Sequence, residues 1–76
     1  MESMSLPTAL AAARGDRSQA AIAEDCGVSQ ATISSWESGE TRPRYDRLRI
    51  VAKAFGMPLR RLRALWISDA DRRVAA

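Results

Sequence analysis

The feature that most restricts the fold of this chain is the stretch of residues 18–37, in which two helical patterns meet at a glycine. Ser18 and Ser29 stand directly before the two patterns, where a serine hydroxyl can accept a hydrogen bond from a first-turn amide. Between the patterns, Gly27 suits the positive φ with which many helices end. The stretch predicts two short helices joined by a tight turn.

Apolar residues give each of these two predicted helices one buried face. Ile22, Ala23 and Cys26 recur at helical spacing on the first helix. On the second helix, Ile33 and Trp36 are three residues apart and therefore share a face. Because Ala23 is small, the two helices can approach closely where they cross. Both faces are predicted to lie in the core.

The outer face of the second helix is uncharged, whereas a solvated helix face more often carries Lys, Glu or Arg. Its residues are Gln30, Ala31, Thr32, Ser34 and Ser35. Glutamine can make two hydrogen bonds to adenine, serine and threonine can bond several base edges, and alanine can contact a thymine methyl group. The face is therefore typical of a helix that enters the major groove of DNA. The alternative is an ordinary polar surface.

A longer pattern of residue types surrounds this face. It comprises Gln19, Ile22, Ala23, Gly27, Val28, Ser29, Gln30, Ile33, Ser34, Trp36, Glu37, Gly39 and Pro43, followed by Leu48, Val51, Ala52, Phe55, Gly56, Met57 and Leu62. In this pattern the chain resembles the helix-turn-helix domain of the phage-repressor (Cro/C1) and xenobiotic-response-element class. The resemblance implies an all-α fold, a compact five-helix bundle of the lambda-repressor-like DNA-binding type.

One position departs from the pattern of that class. Similar proteins often carry an arginine in their first helix (here residues 7–14) that pairs with the glutamate at the end of the recognition helix, the second helix of the pair (here residues 30–38). By the resemblance, this position falls on Ala11 or Ala12. Arg14 is an alternative partner for Glu37.

The resemblance also implies contacts with the DNA backbone. The N-terminus of the first helix of the pair can hold a phosphate, because its free amides and its dipole favour an anion. The loop after the recognition helix follows the backbone in similar proteins. The predicted phosphate-contacting residues at these two places are Arg17, Ser18, Gln19, Arg42 and Arg44. For each of them, the alternative is an ordinary surface residue.

The distribution of charge fits a nucleic-acid partner. The net charge is only +3. Up to Thr41 the chain has two basic and six acidic residues, and from Arg42 onward it has ten basic and three acidic residues, so the two parts carry −4 and +7. Eleven of the twelve basic residues are arginine, whose planar fork suits phosphate and interfaces.

Composition argues against several other classes of protein. A chain of 76 residues with one cysteine and no histidine offers no intramolecular disulfide and no zinc site. It has no phosphate-binding loop, no apolar run of the ~20 residues that a membrane span requires, and no signal-peptide pattern. We expect a single cytoplasmic, nucleoid-associated domain of bacterial or phage type, which is not an enzyme and needs no cofactor or metal.

Glycines end the first four helical patterns. The predicted helices cover residues 7–14, 19–25, 30–37 or 38, and 45–54 or 55, and a fifth begins near Pro58. The predicted organisation is a flexible N-terminus (1–5), a helix-turn-helix DNA-binding domain (6–67) and a frayed or weakly helical C-terminal tail (68–76).

The end of the fifth helix is bulkier than so small a core needs. Leu65, Trp66 and Ile67 are therefore predicted to take part in a homodimer contact, to which the tail is a candidate contributor. The alternative is a cap over the core. Since one subunit offers only about 3–5 phosphate contacts, a homodimer on a palindromic operator is expected.

The predicted function is a sequence-specific regulator that binds double-stranded DNA, most simply a repressor. Two alternatives use the same fold: an antitoxin with a toxin protein as partner, and the controller protein of a restriction–modification system. A dimerisation adapter that does not bind DNA is a third.

Overall fold

The computed structural model describes the backbone of residues 4–75 and the side chains of residues 4–71. Within this range the chain forms five α-helices and no strand. They are α1 (Leu6–Arg14), α2 (Gln19–Cys26), α3 (Gln30–Ser38), α4 (Leu48–Phe55) and α5 (Leu59–Ala75). The predicted all-α, five-helix fold is confirmed. Residues 1–3 of the predicted flexible N-terminus and residue 76 of the tail lie outside the described residues.

Both helices of the predicted pair begin at the expected serines. Ser18 Oγ accepts a hydrogen bond from the amide of Ala21 at 3.0 Å. Ser29 Oγ accepts one from the amide of Thr32 at 3.2 Å. Between the helices, Gly27 has a φ of 72° in the left-handed region. These three residues confirm the two predicted helix starts and the predicted turn between the helices.

Helix α4 begins later than the sequence predicts. Tyr45–Arg47 form a turn of 3₁₀ helix, in which the amide of Arg47 bonds the carbonyl of Arg44 at 2.9 Å. The side chain of Arg44 makes no capping hydrogen bond to this turn. The tighter 3₁₀ turn precedes the α-helical hydrogen bonding, which starts at Leu48. Helix α1, in contrast, begins one residue earlier than predicted, because Ser5 caps it.

Helix α5 continues through the predicted tail as far as Ala75. Asp69, near the start of the predicted tail, is only 5% exposed and lies 3.6 Å from the guanidinium of Arg42, so this part of the tail is packed against the protein. Within residues 4–75, no helix combines the length and the apolar character required to cross a membrane.

The core is one cluster of buried side chains to which all five helices contribute. It comprises Leu6, Ala9, Leu10, Ile22, Ala23, Cys26, Ile33, Trp36, Leu48, Val51, Ala52, Ala54, Phe55, Met57 and Leu62. Helix α3 packs against α1 and α2, which fixes its orientation on the molecule. Each fully buried Leu, Ile or Phe contributes on the order of 1.5–3 kcal/mol to stability.

Candidate nucleic-acid interface

Helix α3 presents the predicted uncharged face to the outside. Ile33 is 0% and Trp36 is 7% exposed, so the apolar face of the helix is anchored in the core. Gln30, Ala31 and Ser34 are exposed on the opposite side. The orientation predicted from the spacing of Ile33 and Trp36 is confirmed.

The two remaining predicted base-contacting residues are half-buried and take part in local hydrogen bonds. The hydroxyl of Thr32 lies 2.9 Å from that of Ser29. The hydroxyl of Ser35 lies 2.8 Å from that of Thr41, in the loop that follows α3. Gln30 and Ser34 are thus the more accessible hydrogen-bonding side chains of this face.

A two-pronged ion pair joins the end of α3 to the end of α1. Arg14 Nε lies 2.7 Å from Glu37 Oε2, and Arg14 Nη2 lies 3.0 Å from Glu37 Oε1. Gln19 Nε2 donates to the same Oε1 at 3.1 Å. Arg14 therefore takes the place of the arginine expected at Ala11 or Ala12, and α1, α2 and α3 meet at one carboxylate.

This ion pair changes the proton affinity of both partners. Burial alone raises the pKa of Glu37, but the hydrogen bonds from Arg14 and Gln19, together with the charge of Arg14, outweigh it, so the net pKa is lowered. The hydrogen bond to Glu37 raises the pKa of Arg14. Both groups are charged at neutral pH, and α3 ends in a neutralised carboxylate.

The N-terminus of α2 holds two of the predicted phosphate-contacting residues, Ser18 and Gln19. Ser18 is exposed and Gln19 is half-buried. The first-turn amides of a helix have no partner within the helix, so they are suited to an anion. The side chain of Gln19, in contrast, is directed towards Glu37.

Arg17, beside them, binds the end of α4. Its Nη1 donates to the carbonyl of Ala54 and its Nη2 to the carbonyl of Phe55, both at 2.8 Å. These carbonyls belong to the last turn of α4, where a cation is favoured by the helix dipole. A phosphate contact by Arg17 would have to share the guanidinium with these bonds.

The loop after α3 treats its two arginines differently. Arg44 has a side chain that is 83% exposed and lies 3.6 Å from the exposed Asp46, a pair that contributes little to stability. Arg42 lies over the ring of Trp66, with 3.6 Å between its Cζ and the ring centroid. Arg44 is available to a ligand, whereas Arg42 is held within the protein.

The three residues predicted for a dimer contact occupy different environments. Leu65 and Trp66 are half-buried and pack against the core. Ile67 is 52% exposed. The indole Nε1 of Trp66 donates to the carbonyl of Pro43 at 2.7 Å, and its ring meets that of Tyr45 edge-on at 5.0 Å. Trp66 thus contacts the protein's own loop as well as the core.

Sequence reasoning missed the arginines that cap helix ends. Arg47 Nη2 donates to the carbonyl of Cys26 at the end of α2, at 3.1 Å. Like Arg17, Arg47 binds a carbonyl that is far away in the sequence, so no local sequence pattern predicts the contact. Burial, with the charge of Asp25, raises the pKa of the Cys26 thiol, which keeps it protonated beneath Arg47.

Helices α2 and α3 are joined at a glycine with left-handed backbone conformation. One face of α3 is apolar and buried in the core, and its uncharged face is exposed. This arrangement defines a helix-turn-helix DNA-binding domain. The comparison with known protein families gives the same assignment. The chain belongs to the helix-turn-helix family of Cro/C1 type, which matches residues 10–62. It is therefore a DNA-binding helix-turn-helix regulator. No curated protein and no solved structure matches the chain.

Proposed function

We propose that the protein is a sequence-specific transcriptional regulator that binds a palindromic operator as a homodimer and represses transcription by occupying promoter DNA. The observation that carries this proposal is the orientation of α3. Its core face is fixed by Ile33 and Trp36, while Gln30 and Ser34 stand in the open. Ala31, Thr32 and Ser35 complete the proposed base-contacting face.

Gln30 is the first residue of α3, in the turn with which recognition helices touch base edges. Its amide suits adenine, and the hydroxyl of Ser34 suits several bases. Since α3 has no Lys or Arg, its base contacts are neutral hydrogen bonds and methyl contacts. Such contacts provide specificity, and most of the affinity must come from phosphates.

The proposed phosphate contacts are those of Arg44 and of the α2 N-terminus, with Ser18 and Gln19. Arg17 and Arg42 stay predictions of the same kind, although both guanidinium groups already bind backbone carbonyls. The logarithm of the affinity is expected to fall with the logarithm of salt concentration at about −0.9 per phosphate contact.

Two observations support a homodimer. Ile67 leaves an apolar side chain exposed on α5, next to the half-buried Leu65 and Trp66. The subunit measures 32 × 22 × 21 Å. Two subunits of this size, side by side, suit recognition helices separated by one turn of B-DNA, about 34 Å. As a DNA-binding protein it is expected on the nucleoid, in the cytoplasm.

Selection of bound sequences from a randomised duplex library tests the proposal. We expect a palindromic consensus whose half-sites are about 10 base pairs apart from centre to centre. A parallel selection without protein corrects for amplification bias. Failure to enrich any sequence at moderate salt would contradict sequence-specific binding, and a consensus without symmetry would contradict the dimer.

An antitoxin and a restriction–modification controller would use the same DNA-binding surface. An antitoxin adds a toxin protein as a second partner, for which the exposed Ile67 is an apolar contact. Co-expression with the product of the adjacent gene, followed by purification through one partner, distinguishes a two-protein complex from a homodimer.

A further inference from the structure

The loop that follows the recognition helix is fastened to α5. Pro43 is among the side chains that are less than 2% exposed, and its carbonyl accepts the indole N–H of Trp66 at 2.7 Å. Tyr45, two residues later, contacts the same indole ring in an edge-to-face arrangement. Trp66 thus contacts the chain on both sides of Arg44.

Arg42 makes the second attachment. Its guanidinium stacks on the indole at 3.6 Å, and its Nη1 donates to the carbonyl of Trp66 at 3.0 Å. The same Nη1 lies 3.6 Å from Asp69 Oδ2, whose side chain is only 7% exposed. A guanidinium that stacks on an aromatic ring and also binds a carbonyl and a nearly buried carboxylate is held far more firmly than one in an exposed ion pair.

Arg44 contrasts with its anchored neighbours. It follows Pro43, whose ring fixes the backbone φ, and it precedes Tyr45. Its side chain is nevertheless the open one, 83% exposed. The backbone of Arg44 is therefore placed by contacts that leave its guanidinium to a ligand.

We propose that Trp66, acting with Arg42 and Asp69, positions the loop of residues 41–44 so that Arg44 meets a DNA phosphate. This inference rests on the proposed function, and it assigns Arg42 to positioning where the sequence predicts a phosphate contact. It also joins the DNA-facing loop to α5, the helix proposed for dimerisation. Without these attachments the loop samples conformations in which Arg44 does not reach the phosphate, so the contact is lost from most of the bound molecules.

The substitution Trp66→Phe tests the attachment in the protein without DNA. Phenylalanine keeps an aromatic ring for Arg42 and Tyr45, but it removes the N–H that binds the carbonyl of Pro43. We expect the NMR order parameters of the Arg42 and Arg44 amides to fall from about 0.85 towards 0.6, with the helical content unchanged. Ser68→Ala, on an exposed position of the same helix, is the matched control and should leave them unchanged.

The same variants test the link to DNA through the salt dependence of binding. In the wild-type background, Arg44→Ala should reduce the log–log slope by about 0.9 per subunit. In the Trp66→Phe background the slope should already be reduced, and Arg44→Ala should reduce it little further. Sedimentation equilibrium compares the variants at the same fraction of dimer, so that a loss of association is not mistaken for a lost phosphate contact.

Arg42→Met provides a second variant that leaves α5 intact. If Arg42 positions the loop, Arg42→Met should also loosen it, and Arg44→Ala should then change the salt slope little further. Unchanged order parameters in both variants, or an undiminished effect of Arg44→Ala in both backgrounds, would overturn the inference while leaving the proposed function intact. Absence of DNA binding by the wild-type protein would overturn both.

Discussion

Glu37 is the residue through which α3 is joined to α1 and α2. Its side chain is 7% exposed, and its carboxylate accepts two hydrogen bonds from Arg14 and one from Gln19. Because α1 and α2 both bind this one group at the end of α3, it helps to fix the angle at which α3 faces outward. Removal of one partner from a buried charged pair leaves the other charge without compensation, which is costly.

Glu37→Gln should therefore destabilise the fold by about 1–3 kcal/mol at neutral pH. Urea denaturation followed by circular dichroism measures the change. Glu40→Gln, on an exposed position after α3, is the control and should stay within about 0.5 kcal/mol of wild type. Equal stability of Glu37→Gln and wild type would show that the ion pair contributes nothing.

The same carboxylate gives stability a dependence on pH. Since the pKa of Glu37 is lower in the folded than in the unfolded protein, the unfolded chain binds the proton more readily. The contribution is fully present above the ordinary glutamate pKa of about 4.3 and is lost as pH falls through the lowered value. Glu37→Gln should lose less stability than wild type over this acidic range, as urea denaturation at a series of pH values would measure.

At the scale of elements, helix ends carry much of the predictive information. Serine caps, glycine stops and the spacing of Ile33 and Trp36 are local signals, so α2, α3 and the outer face of α3 follow from the sequence alone. The attachments between elements are different. The bonds of Arg17 and Arg42 join residues far apart in the chain, so they depend on tertiary structure and no local pattern predicts them.

Gly39 and Gly27 offer a matched test of two helix ends. Both have positive φ, 85° and 72°, which an alanine adopts at a cost of about 1–2 kcal/mol. A Cβ at Gly27 would meet nothing within 4 Å, whereas one at Gly39 would lie 3.2 Å from Cγ of Pro7. We expect Gly39→Ala to be the more destabilising substitution in urea denaturation.

Pro7→Ala supplies the control, because it removes the Cγ atom that the new methyl group would approach. In that background the additional cost of Gly39→Ala should fall to that of Gly27→Ala. If the two glycine substitutions are equally costly in the wild-type background, α1 does not restrict the end of α3.

At the scale of the whole molecule, charge does two separate tasks. The part of the chain from Arg42 onward has a net charge of +7, which suggests a broad phosphate-binding surface. In the structure, however, Arg42 and Arg47 of this part bind an indole ring and a helix end within the protein. Before Arg42, Arg14 and Arg17 likewise bind a carboxylate and a helix end. Counting arginines in the sequence therefore overestimates the cations available to DNA, and the open Arg44 gains importance.

The central claim is that α3 contacts bases and Arg44 contacts phosphate. The most direct test measures the binding free energies of Gln30→Ala and Arg44→Ala for all single-base variants of the selected operator. We expect Gln30→Ala to lose about 1–3 kcal/mol and to relax specificity at one base pair of each half-site. Arg44→Ala should weaken binding to every variant alike and flatten the salt dependence. A uniform loss from Gln30→Ala, with specificity intact at every position, would contradict a base-reading α3.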